Sequence, residues 1–181
     1  MPLTWNTTGS RTRALLLGAA LLLVGCGAVT RPDGGAGLLP VGALAPNFEA
    51  RDAKGGRVML ADAGGSHRIV YFYPKDGTPG CTKEACAFRD AYDEYRTRGV
   101  VIFGVSSDSE ESHEAFRKTH SLPFPLAADP GGAIQRAYGV PSRLGFASRV
   151  SFLVGKEGRV ERVWKDVDPL VHARDVLSAV K

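Results

Sequence analysis

The chain has 181 residues, 44% of them hydrophobic and 23% charged, with a formal net charge of +4. That is room for one ordinary domain, and the composition excludes a disordered chain and a membrane protein of many spans. The small charge gives no argument for nucleic acid as a partner, and three cysteines are too few for a disulfide-dense secreted scaffold.

Residues 1–25 read as an export signal. Arg11 and Arg13 precede an apolar run, Ala14–Gly25, that is too short for the roughly 20 residues of a spanning helix. The run ends Leu23-Val24-Gly25-Cys26, which resembles the bacterial lipobox. The resemblance implies that Cys26 receives a diacylglycerol and becomes the first residue of the mature protein. Removing residues 1–25 leaves a formal charge of about +2, so polybasic docking to a membrane is not supported. Residues 26–37 are Gly-rich, include Pro32 and read as a flexible tether. Gly27 follows the cysteine, and in a bacterium with two membranes the sorting resemblance points to the outer one. The expected location is the cell envelope, lipid-anchored and facing the periplasm or exterior.

The folded domain is expected over residues 38–181, without internal repeats. Arg57–Leu60 is a short strand candidate. Ile69–Tyr73 and Val100–Val105 are uninterrupted β-branched and aromatic runs, which suit strands buried on both faces. Between them, Ala85, Phe88, Ala91, Tyr92 and Tyr95 recur at helical spacing over Thr82–Arg98. Gly99 stands where a helix end needs positive φ. A parallel βαβ unit follows from this order. Ser109–His120 reads as a helix with Ser109 as N-cap, acids toward its start and bases toward its end. Ala133–Tyr138 is a short helix. Val150–Val154 and Arg159–Trp164 flank Gly155-Lys156-Glu157-Gly158, a β-hairpin signal. Asp168–Val180 reads as a last helix with Pro169 in its first turn. The expectation is an α/β fold with a mixed central sheet flanked by helices, an order that resembles thioredoxin-like folds.

Chemistry concentrates in Tyr73-Pro74-Lys75-Asp76-Gly77-Thr78-Pro79-Gly80-Cys81-Thr82-Lys83-Glu84-Ala85-Cys86. Pro74, Gly77, Pro79 and Gly80 hold off regular structure until a helix begins near Cys81. That places Cys81 in a first helical turn at the carboxyl end of a sheet strand, where unpaired N–H groups and the helix dipole favour a thiolate. Cys86 stands five residues on. An ideal helix separates two such Cα atoms by about 8.7 Å, and a disulfide needs less than about 7 Å. The two sulfurs can therefore bond only if the first turns unwind.

Pro74-x-x-x-Thr78-x-x-Cys81 resembles the active-site motif of peroxiredoxins. The longer string FYPKDGTPGCTKEAC is similar to the subfamily of bacterioferritin comigratory protein and peroxiredoxin Q. The resemblance covers about residues 41–181. It implies a thioredoxin fold and a thiol peroxidase that reduces hydrogen peroxide and organic hydroperoxides without a cofactor. It also implies roles: Cys81 as peroxidatic nucleophile, Cys86 as resolving thiol within the same chain, Thr78 as a hydroxyl holding thiolate and peroxide, and Pro74 as a shield of the pocket. Arg149, at the start of a later strand, matches the family's arginine that stabilises the thiolate and the leaving oxygen. Glu84, one turn after Cys81, can pair with Arg149, although an acid there is ordinary helix chemistry. Arg143 is a further cation that could contribute charge to the pocket, and it is given no catalytic role. Between Tyr138 and Arg149 the chain departs from the family pattern: Pro141 follows the Tyr-Gly-Val and the segment is short, which leaves pocket shape and peroxide preference open.

His67, His113, His120 and His172 are scattered, fit no metal-ligand spacing with the cysteines, and read as exposed. The expected partners are a hydroperoxide, a thioredoxin-like reductant and, through the lipid, a membrane. A monomer is expected. The alternative is a membrane-tethered thioredoxin-like thiol-disulfide reductase. It needs Cys-x-x-Cys at the helix start, where residues 81–84 read Cys-Thr-Lys-Glu.

Overall fold

The computed structural model describes Met1 and residues 29–51, 56–165 and 167–180. The export signal of residues 1–25 and Cys26 therefore lie, Met1 apart, outside the described residues. Two long apolar strands organise the rest: β3 (His67–Phe72) and β4 (Val100–Ser106). They pair in parallel, with Ile69 opposite Ile102 and Phe72 opposite Val105. Two others, β1 (Glu49–Arg51) and β2 (Arg57–Met59), form a separate antiparallel pair before them. The five-stranded sheet runs β5-β4-β3-β8-β9, with β5 at Leu126–Ala128, β8 at Val150–Val154 and β9 at Val160–Lys165. β5 joins β4 in parallel, whereas β8 pairs antiparallel with both β3 and β9. The sheet is mixed, as expected.

Every residue of β3 is buried, so its alternating side chains feed a core on each face. Ile69 and Tyr71 point to one side, where they meet Phe88 of α1 (Pro79–Asp90), Tyr95 of α2 (Tyr92–Thr97), Phe116 of α3 (Glu110–His120) and Val176 of α5 (His172–Ala179). Val70 and Phe72 point to the other, where Phe48, Leu60, Ile134 of α4 (Ala133–Ala137) and Tyr138 cover them. The helices hold α1 against the sheet with Cys81 near the carboxyl end of β3, the position that strand order alone implies. Gly99 closes α2 at φ 65° and Ser109 caps α3 by accepting the Ser112 N–H. A turn at Gly155–Gly158 joins β8 to β9. These match the sequence reading.

Other details differ. The helix expected over Thr82–Arg98 is two helices, broken at Ala91, whose ψ of 5° leaves the helical region. Apolar spacing continues across the break, so periodicity alone does not see it. The last helix begins at His172 rather than Asp168. Asp168 makes a turn first: its carboxylate accepts the Leu170 N–H and its carbonyl accepts those of Val171 and His172. Three of the four histidines are buried rather than exposed: His67, His113 and His172. His113 shares the inner face of α3 with Phe116, three residues on.

The segment that composition reads as tether is folded where it is described. Residues 29–37 form a turn in which Thr30 bridges Ala36 and the Gly37 N–H reaches the Val29 carbonyl. Arg31 ties it down by donating to the carbonyls of Ala36, Gly37 and Leu38. The turn lies against Gly139, where φ is 66° and an added Cβ would stand 1.8 Å from the Gly37 oxygen. No side chain fits at 139 while this segment is docked.

Between α4 and β8 lies a small hairpin, β6 (Ser142–Arg143) and β7 (Phe146–Ala147). It fills the stretch where the chain departs from the family pattern.

Candidate active site

Cys81 is the third residue of α1 and is 2% exposed. The helix opens with Thr78 as N-cap and Pro79 at its first position, and its first backbone bond runs from the Thr82 N–H to the Thr78 carbonyl. Proline fits there because its missing N–H has no helical partner to lose. N–H groups of the first turn have no intrahelical acceptor, so a negative sulfur at residue 81 meets the positive end of the helix.

Arg149 reaches this sulfur from the residue before β8. Its Nη2 donates to Cys81 Sγ at 3.4 Å, and its Nη1 pairs with Glu84 Oε2. One guanidinium thus spans the Cys81 thiol and a carboxylate one helical turn away. The side chain of Arg149 is 17% exposed and that of Glu84 fully buried. Glycine at 80 permits this approach, since a Cβ there would stand 3.3 Å from Nη2. Pro169, in the turn before α5, stands 3.8 Å from the same point.

The electrostatics follow from burial. Desolvation pushes the Glu84 carboxyl up to about 7, with Arg149 pulling the other way. Burial opposes the charge on Arg149, but Glu84 and Cys81 outweigh it and hold the guanidinium protonated beyond its ordinary value. Tyr71 lies behind the site with its hydroxyl buried and unpaired. Burial, then the nearby Glu84, Asp76 and Cys81, raise it well above a normal phenol. It stays neutral there. His172 is pushed down to about 4 by burial and by Arg149, and its Nε2 stands 2.8 Å from Ser151 Oγ. This packed imidazole is uncharged at neutral pH.

The loop before α1 is tied from below by a network that the sequence reading does not contain. Asp76 accepts from Tyr73 Oη at 2.8 Å and from Ser112 Oγ at 2.8 Å, and lies 2.8 Å from His113 Nδ1. Its backbone N–H donates to Asp108, which also accepts from Ser106. Burial would raise the Asp76 carboxyl, but His113, Tyr73 and Ser112 outweigh it and leave it below its ordinary value. The loop is thereby pinned to α3 and to the end of β4. Asp76 stands inside the quoted active-site string, and His113 shares a helix stripe with Phe116. Nothing local links a loop residue to one 37 positions on.

The structure places the sequence-predicted residues as follows. Cys81 and Arg149 are in contact, with Glu84 as third member. Thr78 caps the helix start, and its hydroxyl donates to the Lys75 carbonyl at 3.0 Å. Pro74 is half-buried where β3 passes into the loop. Cys86 is half-buried on the same unbroken helix as Cys81, and both thiols are free. Arg143 is exposed on β6 rather than in the pocket.

Residues 41–163 match the AhpC/TSA family. Over 143 residues the chain is 40% identical to a chloroplastic peroxiredoxin Q of Sedum lineare, covering 77% of each. It is 38% identical over 150 residues to peroxiredoxin Bcp of Bacillus subtilis, covering 79% of this chain and 96% of that one. Among solved structures, peroxiredoxin Q of Xanthomonas campestris superposes with a TM-score of 0.69 at 35% identity, covering 74% of this chain and 89% of the other.

The raised Glu84 carboxyl has a thermodynamic consequence. The folded protein keeps a proton that the unfolded chain releases above its ordinary 4.5. Glu84 therefore contributes stability below pH 4.5 that is lost as pH rises to about 7. Glu84→Gln carries no such proton. In thermal melts across that window, the melting temperature of the unsubstituted protein should fall relative to the variant by several degrees. A constant difference would mean that Glu84 is ionised throughout.

Proposed function

We propose a division of labour among the site residues of this chain, which belongs to the AhpC/TSA family and is a thiol peroxidase of the peroxiredoxin Q and bacterioferritin comigratory protein kind. The observation that carries it is the contact of the Arg149 guanidinium with the Cys81 sulfur at the start of α1.

Cys81 is the peroxidatic nucleophile. Its thiolate attacks the terminal oxygen of a hydroperoxide and the O–O bond breaks. The sulfur becomes a sulfenic acid, and the leaving oxygen takes a proton to depart as water or an alcohol. Arg149 faces the charge that moves from sulfur to leaving oxygen, and a fixed cation there costs no reorganisation during the step. Thr78 is proposed to hold the thiolate and the peroxide through its hydroxyl, which in the structure donates to the Lys75 carbonyl, and Pro74 to shield the pocket from water. Cys86 then attacks the sulfenic sulfur, a disulfide forms and water leaves. Because both thiols lie on one helix, this bond requires residues 79–86 to unwind. A thioredoxin-like dithiol restores the two thiols and is oxidised to its own disulfide. A monomer is proposed as the working unit, since the Arg149–Cys81 contact needs no residue from a second copy. The reductase alternative has no support in the site, where Glu84 occupies the position a second cysteine would need.

The chain is also proposed to reach the cell envelope as a lipoprotein, with Cys26 carrying the lipid. The support is the charged start, the apolar run and the Leu23–Cys26 tetrapeptide. The N-terminal peptide of the chain recovered from bacterial membranes should begin at Cys26 and carry the mass of a diacylglyceryl group. An unmodified cysteine, or an N-terminus elsewhere, would contradict the anchor.

For the catalytic roles, Cys81→Ser should abolish hydrogen peroxide consumption supported by a dithiol. Cys86→Ser should keep the first oxidation and stop at the sulfenic acid, whereas the unsubstituted chain gives an internal Cys81–Cys86 disulfide by mass spectrometry. Peroxide consumption that survives Cys81→Ser would overturn the assignment. A cross-chain bond would remove the resolving role from Cys86.

A further inference from the structure

The hairpin β6–β7 turns through Leu144 and Gly145, both with positive φ, at 53° and 83°. Two successive residues of this kind make a tight hairpin turn in which Asn-Gly or Asp-Gly is the cheap choice. Leucine is a costly one, because its Cβ crowds the backbone at positive φ. It also gains nothing from burial, since Leu144 is 90% exposed, and Phe146 beside it is 40% exposed. Turn chemistry and core packing both disfavour an apolar residue at this tip, which makes it a candidate for a contact outside the chain.

The surroundings say which contact. Arg143 in the same hairpin, Lys75 and Arg136 are exposed cations. Lys75 Nζ stands 5.7 Å from the centre of the Phe146 ring, and Arg136 lines a cleft of about 340 Å³ with Ser142 and Gly145. Large apolar side chains ringed by bases suit the headgroup region of an anionic bilayer. The same cleft is lined by Val29, the first residue of the docked N-terminal turn. Cys26 is three residues before it, a reach of at most about 10 Å. A lipid on Cys26 would therefore enter the bilayer beside this hairpin.

The hairpin is also joined to the active site from two directions. Lys75 contacts Phe146 through its side chain and Thr78 through its carbonyl. Arg149 follows β7 after a single residue and touches Cys81. We propose that the Arg143–Phe146 tip is a membrane-interface contact that turns the mouth of the Cys81 site toward the bilayer. Hydroperoxide groups on phospholipid acyl chains are then its substrates. The inference rests on the peroxidase reading for its chemistry and on the Cys26 reading for bringing the chain to the surface, but the contact itself belongs to the hairpin.

The test uses the full chain and vesicles of phosphatidylcholine and phosphatidylglycerol. Leu144→Trp places a fluorophore at the tip. Glu157→Trp places one in the β8–β9 turn, at the end of β8 away from Arg149. Lipids brominated high on the acyl chain should quench the first and spare the second, each read as a difference from the unsubstituted chain. With phosphatidylcholine hydroperoxide in the same vesicles, Leu144→Asn combined with Phe146→Ser should lower the rate on the lipid hydroperoxide relative to that on hydrogen peroxide by about tenfold. Activity on hydrogen peroxide reports folding of each variant. Repeating the quenching with Cys26→Ser separates the two readings. Quenching that persists without the lipid leaves the hairpin contact standing, even if Cys26 proves unmodified. A lipidated chain whose tip is not quenched, and whose rate ratio does not move, overturns the hairpin contact and leaves the anchor untouched. A tip protected only when a second protein is added would also overturn it.

Discussion

Arg149 holds Glu84 with one nitrogen of its guanidinium and Cys81 with another, and the elements around it bury Cys81 and Glu84 and most of Arg149. Burying such a group is costly unless its charge is compensated. Glu84 supplies that compensation, while its own burial brings it close to losing its charge near neutral pH. The cation is thus paired firmly enough to stay in place, without its field at the sulfur being cancelled completely. A second buried carboxylate would cancel that field, and an exposed guanidinium would lose it to solvent screening. His172 and Tyr71 press on the same region as neutral groups, the first because burial and Arg149 disfavour its proton and the second because burial disfavours its anion. The sheet and α5 thus enclose the triad without adding a charge that would compete with it.

The other demand on the fold is that α1 be firm enough to aim Cys81 and weak enough at its start to release it. The two halves of the helix are held differently. Phe88 is fully buried between Tyr71, Tyr95, Phe124 and the ring of His172, which fixes the later half. The first turn has proline and glycine as its opening residues, a cap with no side-chain hydrogen bond, and the Arg149 contact. Oxidising Cys81 to a sulfenic acid changes the partner that Arg149 grips. The network from Asp76 to His113, Ser112 and Tyr73 anchors the loop on the other side of the turn. On the proposed resolving role of Cys86, unwinding would be confined to the residues between the Asp76 anchor and Phe88.

Much of this was legible from residue order. The uninterrupted runs of β3 and β4 announce strands buried on both faces, and Gly99 and the Gly155–Gly158 turn punctuate them. The Pro-Gly-rich loop places Cys81 in a first helical turn. Arg149 is marked by the family resemblance alone; its reach to Cys81, 68 residues away in sequence, comes from the pairing of β8 with β3. What escaped reading depends on partners distant in sequence. β1 and β5 are three-residue strands with no room for a period to show. The break at Ala91 leaves apolar spacing intact. The Asp76–His113 pair joins a loop to a helix, and each residue looks ordinary alone. The turn at residues 29–37 has the composition of a linker, yet it is held by Arg31 on three carbonyls and by the close approach of Gly139.

The account turns on whether the Arg149 cation makes Cys81 reactive or only packs beside it. Single-turnover oxidation of Cys81 by hydrogen peroxide in Arg149→Met, a substitution of similar length without charge, measures this directly. If the guanidinium stabilises the sulfur and the leaving oxygen, the second-order rate should fall by about 100-fold or more, while the fold and the free thiols persist. A rate within about threefold of the unsubstituted protein would contradict the account and leave the helix start as the source of reactivity.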